Sequence, residues 1–184
     1  RQRSLERDVA IKILSPQVSG SSGFRESFET TARMMAKLNH PNLIGVYDSG
    51  FVSGMLFFVM EFVPGKSLEH SSKGKQVEKS QTLRLVGGIC DGLAHAQDHG
   101  IVHGNLTPAN ILLNRKAEPK IGNFGFSHSE EENRTTSSPS PYTAPESANP
   151  KPGSGAKADI FAAGAILYEL LTGRPHSPDA PPPS

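Results

Sequence analysis

The stretch Asp159–Leu171 is apolar almost all the way round after its opening Asp159, with Gly164 within it and Glu169 near its end. A helix without a polar face has to be surrounded, either by lipid or by the rest of its own chain. The apolar run is about a dozen residues, well short of the ~20 that span a bilayer. Protein must therefore enclose it. The chain has 184 residues, which is room for one ordinary domain or a large part of a bigger one.

The preceding segments divide into short strands and two longer helices. Val9–Leu14 is a β-rich run stopped by Ser15-Pro16, and Ser19–Gly23 reads as a loop. Phe24, Phe28, Thr31, Met35 and Leu38 fall on one face at helical spacing, so a threonine interrupts an otherwise apolar stripe. His40-Pro41-Asn42 ends that helix. Leu43–Asp48 and Met55–Val63 then read as two strands about a Ser-Gly turn, the second broken by Pro64-Gly65. Ser80 is placed to cap a long helix with Leu83, Val86, Cys90, Leu93 and Gln97 on its core face and Gly100 at its close. Ile111–Leu113 and Pro119–Ile121 read as short strands. Glu130–Pro141 is polar and reads as mobile, and Pro178–Ser184 as a Pro-rich tail. Strands first and helices later predict an α+β chain.

Charge and cysteine content narrow the function classes. Nineteen Lys+Arg against 18 Asp+Glu leave a net charge of +1, which argues against a basic nucleic-acid binder. Cys90, the single cysteine, cannot form an internal disulfide and reads as core on the helix face assigned to it. The histidines at 40, 70, 95, 99, 128 and 176 lack metal-ligand spacing. No signal-peptide pattern opens the chain, where charged residues lead straight into the first strand.

Several short motifs occur in a telling order: Val9-Ala10-Ile11-Lys12, His40-Pro41-Asn42, Met60-Glu61-Phe62-Val63, His103–Asn110, Asn123-Phe124-Gly125, Ala144-Pro145-Glu146, and Asp159 with Gly164. Each alone is weak; together, on strands, loops and helices in this sequence, the chain resembles the protein kinase family, of the bacterial Ser/Thr type. The resemblance implies a kinase-like two-lobed α+β fold, incomplete at both ends. A Gly-rich loop is expected before the Lys12 strand, yet the eleven residues ahead of Lys12 contain no glycine. Further helices are expected after Leu171. The implied division is a partial small lobe at 1–63, a partial large lobe at 64–177, and the tail at 178–184.

The departures from the family pattern carry the functional reading. The catalytic-base position, usually Asp, is Asn105, and the metal-holding Asp of Asp-Phe-Gly is Asn123. The Glu expected to pair with Lys12 is replaced by Thr31; Glu29 is about 200° away around the helix and Glu26 is equally misplaced. Gly104 stands where Arg is common, and Thr107 where a Lys would reach the phosphoryl group. Three acids and two bases are missing, a site change of about +1.

By the resemblance, Lys12, Ala10, Met60, Glu61, Val63, Leu112 and Asn110 would bind the nucleotide. Ala10 and Leu112 would form the adenine slot, Glu61 and Val63 would offer hinge backbone groups, and Met60 would stand at its back. Plain core packing is the competing explanation for that slot. Asn110 and Asn123 are the only metal candidates, and weak ones. Met35, Val46, His103 and Phe124 would stack as an internal column with Asp159 at its base, His103 being a satisfied core histidine.

The resemblance thus admits ATP with Mg2+ weak or absent, protein partners, no nucleic acid, no membrane contact within this segment, and a cytoplasmic setting, whether free or in a membrane-tethered parent. Three readings stay open here: a pseudokinase used for interaction, a weak or atypical Ser/Thr kinase, and a poorly folding piece.

Overall fold

The protein is described by a computed structural model that covers residues 6–19, 22–124, 140–148 and 153–177. The stretch 130–139, the tail 178–184 and Gly125 lie outside the described residues.

Strand β1 (Val9–Ile13) lies at the edge of an antiparallel sheet of order β1-β3-β2, with β2 at Val46–Val52 and β3 at Met55–Glu61. Ser53 and Gly54, both at positive φ (48° and 81°), make the two-residue turn between β2 and β3, the twist that suits a tight hairpin. β2 is shifted along the chain from the expected Leu43–Asp48. The backbone at Leu43 and Ile44 is engaged elsewhere: the Ile44 N–H donates to the Ile121 carbonyl at 2.8 Å, and the Ile121 N–H to that of Asn42 at 2.8 Å. Those residues stitch this sheet to the second one.

Two helices precede β2, a single turn α1 (Pro16–Ser19) and α2 (Ser22–Met35). Within the expected loop at Ser19–Gly23, Ser19, Ser22 and Gly23 are helical, and Gly20 and Ser21 lie outside the described residues. Ser19 is fully buried, and its hydroxyl accepts from the Leu56 N–H at 3.0 Å; the polarity that suggested a loop instead satisfies a core backbone group. α2 buries Phe28, Ala32 and Met35, with Thr31 half-buried on the same side, and Phe28 packs on Phe58 of β3 with ring centroids 4.2 Å apart. Past Met35 the chain tightens into i→i−3 bonds at Lys37 and Leu38, which keeps Leu38 in the core.

The larger part holds α3 (Leu68–Ser72), α4 (Lys79–Asp98), α5 (Ser154–Thr172) and a second sheet, β4 (Lys66–Ser67), β5 (Ile111–Leu113) and β6 (Pro119–Ile121), in the order β4-β5-β6. α4 is capped by Glu78 rather than Ser80: the Glu78 carboxylate accepts from the N–H groups of Ser80 (2.9 Å) and Gln81 (3.0 Å). Its core face is also turned from the expected one. Thr82, Leu85, Ile89, Gly92 and Ala96 are buried, while Leu83 is 67% exposed and Cys90 and Gln97 face outward. Gly92 explains the rotation: a Cβ there would meet Leu43, Ile121 and the Asn42 carbonyl at 3.1–3.2 Å, so a small residue is needed where α4 crosses β6. Cys90 is thus a surface residue, not core.

α5 begins earlier than Asp159, and it packs on α4. Asp159, Ala162, Ala163, Ala165, Ile166 and Leu170 are buried. Ile160 is 66% exposed, so among the described residues the helix is enclosed over most of its girth rather than all of it. Among the described residues, no helix is long and apolar enough to cross a membrane.

Gly65 carries the tightest backbone approach in the second sheet, since a Cβ there would lie 1.7 Å from the Leu113 carbonyl oxygen. Gly65→Ala should therefore push β4 off β5 and lower stability by about 1–3 kcal/mol, the usual cost of overpacking. Urea denaturation checks this, and an unchanged midpoint would contradict the close approach.

Candidate functional site

The site is assembled around Asp159 near the start of α5. Its carboxylate accepts the backbone N–H of His103 at 2.8 Å and of Gly104 at 2.9 Å. Burial pushes its pKa up, and those two donors pull it back down. The backbone between them needs Gly104, which sits at φ 76°, where a glycine carries no strain. The expected role of Asp159 as anchor of this loop is what the geometry shows.

His103 locks the loop from its other side. Its Nε2 lies 2.9 Å from the Gly122 carbonyl, so it is the protonated nitrogen, and Nδ1 accepts the Asn105 N–H at 3.2 Å. The ring packs on Phe124 with centroids 4.7 Å apart. Burial lowers its pKa to about 4, so it is neutral at physiological pH. Both ring nitrogens are used structurally, as expected for a core histidine. Met35 is buried in the same core, against which Val46 packs.

From this frame the side chains at 105, 110 and 123 are positioned. Pro108–Asn110 form one turn of 3-10 helix after the extended Thr107. Asn123 adopts φ 64°, a left-handed conformation that Asn tolerates better than most residues. Lys12 Nζ donates to Asn123 Oδ1 at 3.1 Å, Asn123 Nδ2 donates to Asn110 Oδ1 at 2.8 Å, and Asn110 Nδ2 donates to the Asn105 carbonyl at 2.9 Å. Asn105, Gly104, Thr107, Tyr142 and Thr143 line a small cavity of about 70 Å3 above Asp159.

This arrangement does not fit Mg2+. That cation favours charged oxygens in octahedral array, and the two oxygens offered are neutral amides. Each already accepts a protein donor, and the one on Asn123 has an ammonium 3.1 Å away. Among the described residues no group of three or more His, Cys, Asp or Glu is placed to hold a metal.

Of the remaining slot residues, Ala10 faces Met60 across β1 and β3 in the register of the sheet, and Leu112 faces Lys120 across β5 and β6. Ala10, Met60, Glu61 and Leu112 are half-buried and Val63 is buried. Thr31 lies on the inward side of α2, whereas Glu29 pairs with Arg33 at 3.2 Å on the exposed side and Glu26 is exposed.

Two contacts escaped the sequence. Glu61 pairs with Lys120 at 2.9 Å, both largely sheltered, so a residue considered only for its backbone joins the two sheets through its carboxylate. The Tyr142 hydroxyl donates to the Glu169 carboxylate, tying the segment before Ala144-Pro145-Glu146 to α5. Neither pair is close in sequence, and no spacing rule links them.

The comparisons with known proteins follow the same outline. A family model described as protein kinase domain matches residues 1–181. The serine/threonine-protein kinase PrkC of Bacillus subtilis is 32% identical over 175 residues, a match covering 92% of this chain and 27% of that protein. PknB of Mycolicibacterium smegmatis is 30% identical over 188 residues, covering 95% of this chain and 30% of its own length. The chain therefore spans less than a third of these relatives. The crystal structure of the Mycobacterium tuberculosis PknI kinase domain superposes with a TM-score of 0.78 at 27% identity, covering 99% of this chain and 72% of that one.

His103 has a testable consequence. Its native pKa of about 4 lies below the ordinary 6.5, so the unfolded chain binds the proton first and stability falls as pH drops from about 6.5 towards 4. Relative to His103→Gln, the native chain should lose about 2–3 kcal/mol between pH 6.5 and 4.5. Asp159, shifted upward, works in the opposite sense at the acid end and is common to both proteins. Denaturation series at each pH would show parallel curves if His103 titrated normally.

Proposed function

The chain belongs to the protein kinase family, and we propose that it is a catalytically impaired member, a pseudokinase serving as an interaction or regulatory module. The family in general transfers phosphate from ATP, with Mg2+, to a hydroxyl. One observation carries the proposal: at the two positions where that chemistry needs an acid, the base at 105 and the metal ligand at 123, the side chains are amides. The Asn123 amide is engaged with Lys12 and with Asn110. An amide is no base near neutral pH, and lost general-base help alone costs about 10²–10⁴ in rate. The missing metal ligand adds to that, because phosphoryl transfer rests on positioning and electrostatics.

The retained framework supports a binding role. The Asp159 anchor and the His103 bridge fix the loop through hydrogen bonds within the chain itself. In this reading residues 1–63 and 64–177 act as partial small and large lobes, with ATP, if bound, taken between Ala10, Met60, Leu112 and the hinge backbone at Glu61 and Val63. Partners are other proteins, in keeping with a net charge of +1, and the setting is cytoplasmic, in a free or a membrane-tethered parent. A second reading, a weak or atypical Ser/Thr kinase, is favoured by the survival of Lys12 and Asn110 in the cleft.

Phosphotransfer assays separate the two. The native chain should transfer no more phosphate than Asn105→Ala, while the double variant Asn105→Asp/Asn123→Asp should gain at least about 10² if the framework is competent. Native turnover well above the Asn105→Ala background would overturn the pseudokinase reading. ATP titrations should show affinity, where present, that Mg2+ barely alters; strong Mg2+ dependence is the contrary result.

A further inference from the structure

We propose that Lys12, Asn123 and Asn110 form a metal-free clasp that holds β1 against the loop at Asn105, so that the cleft keeps its arrangement with neither cation nor nucleotide. The inference rests on the reading of this cleft as one that does not take Mg2+, and it assigns the Asn123 amide a positive task rather than a lost one.

The direction of the chain follows from the chemistry of its ends. A lysine ammonium only donates, and a backbone carbonyl only accepts. Lys12 must therefore meet an oxygen on Asn123, which turns the Asn123 NH2 towards Asn110. Asn110 must then offer its oxygen, which turns its own NH2 to the Asn105 carbonyl. All three steps are short, at 3.1, 2.8 and 2.9 Å. Reversing either amide would set donor against donor at one link and acceptor against acceptor at the next, so a single arrangement is selected.

The ends of the clasp belong to different sheets. Lys12 lies on β1, in the β1-β3-β2 sheet, and it is 111 residues from Asn123 in sequence. Asn105 and Asn110 lie on the loop that Asp159 anchors to α5 and that leads into β5. Asn110 is held further by its own carbonyl, which accepts the Gly122 N–H at 3.0 Å. The clasp thus connects the first sheet to the buried centre of the larger part.

Asn123 is the determining residue. A carboxylate there would still accept from Lys12, but its second oxygen would face Asn110 Oδ1 across the present 2.8 Å contact. Two acceptors at that distance repel unless a cation or a proton lies between them. An amide in place of the acid supplies the bridging N–H itself and so removes the requirement for a cation. Its left-handed backbone, φ 64°, is one that Asn adopts readily.

The test uses the full chain and Mg2+ itself as the probe. The melting temperature of the native protein should move by less than about 1 °C on adding millimolar Mg2+, a change too small to signal an occupied site. Asn123→Asp should melt lower than native in EDTA and recover when Mg2+ is added. Lys12→Met and Asn110→Ala should each lower the melting temperature, and the double variant should melt close to the weaker single one, because either change opens the same chain.

Additive losses, or a native Mg2+ response as large as that of Asn123→Asp, would sink the clasp. Should the variants fail to fold, NMR of the native chain decides. Side-chain NH2 signals of Asn110 and Asn123 that exchange slowly and are untouched by Mn2+ support the proposal, whereas fast exchange or Mn2+ broadening overturns it. The outcome is separable from the pseudokinase reading: phosphate transfer by a chain with an intact clasp overturns only that reading, and additive losses in an inactive chain overturn only the clasp.

Discussion

A buried carboxylate that accepts two consecutive backbone N–H groups governs this molecule. Asp159 holds His103 and Gly104, and each hydrogen bond to a charged group contributes about 1.5–3 kcal/mol. The cost of burying the acid is thereby offset, and the loop from His103 to Asn110 acquires a fixed origin on α5. His103 then carries that origin to Gly122, and Gly122 returns a bond to Asn110. The backbone that carries Asn110 takes its place from these few bonds.

What the cleft presents on that frame is a change of charge rather than of shape. The loop, the turn at Asn123 and the approach of Lys12 remain, while carboxylates have become amides. Since an amide differs from a carboxylate by one N–H in place of an oxygen, the local geometry tolerates the exchange with little movement. The electrostatics do not. In the proposed reading, where the family holds cations against a polyphosphate, Lys12, Asn123 and Asn110 here satisfy one another. Framework and chemistry are separable here because backbone hydrogen bonds set the first and side-chain charges the second.

The legible part of the fold was local. β1, the Ser53-Gly54 turn, β5, β6 and the stripe of α2 could be read because their signals lie within a few residues. The rotation of α4 could not: hydropathy favours Leu83 and Cys90, and only the approach of Leu43 and Ile121 calls for Gly92 on the buried side. The capping role of Glu78 was hidden by a neighbouring serine of higher intrinsic preference, and β4, two residues long, is too short to show any period. In the candidate site, the anchor Asp159 and the satisfied His103 were readable from the resemblance. The pairs Glu61–Lys120 and Tyr142–Glu169 were not, since nothing in their spacing marks them.

The amino-acid order by itself determined that the chain has a kinase-like framework and that amides replace acids at positions 105 and 123, since residue identity alone decides which groups can carry a charge. Only the tertiary structure decided what the Asn123 amide does instead. Whether an Asn side chain binds a cation, faces water or bridges two neighbours depends on which donors and acceptors surround it. Here they are Lys12 and Asn110, 3.1 and 2.8 Å from the Asn123 amide, brought there by strands and loops far apart in the sequence.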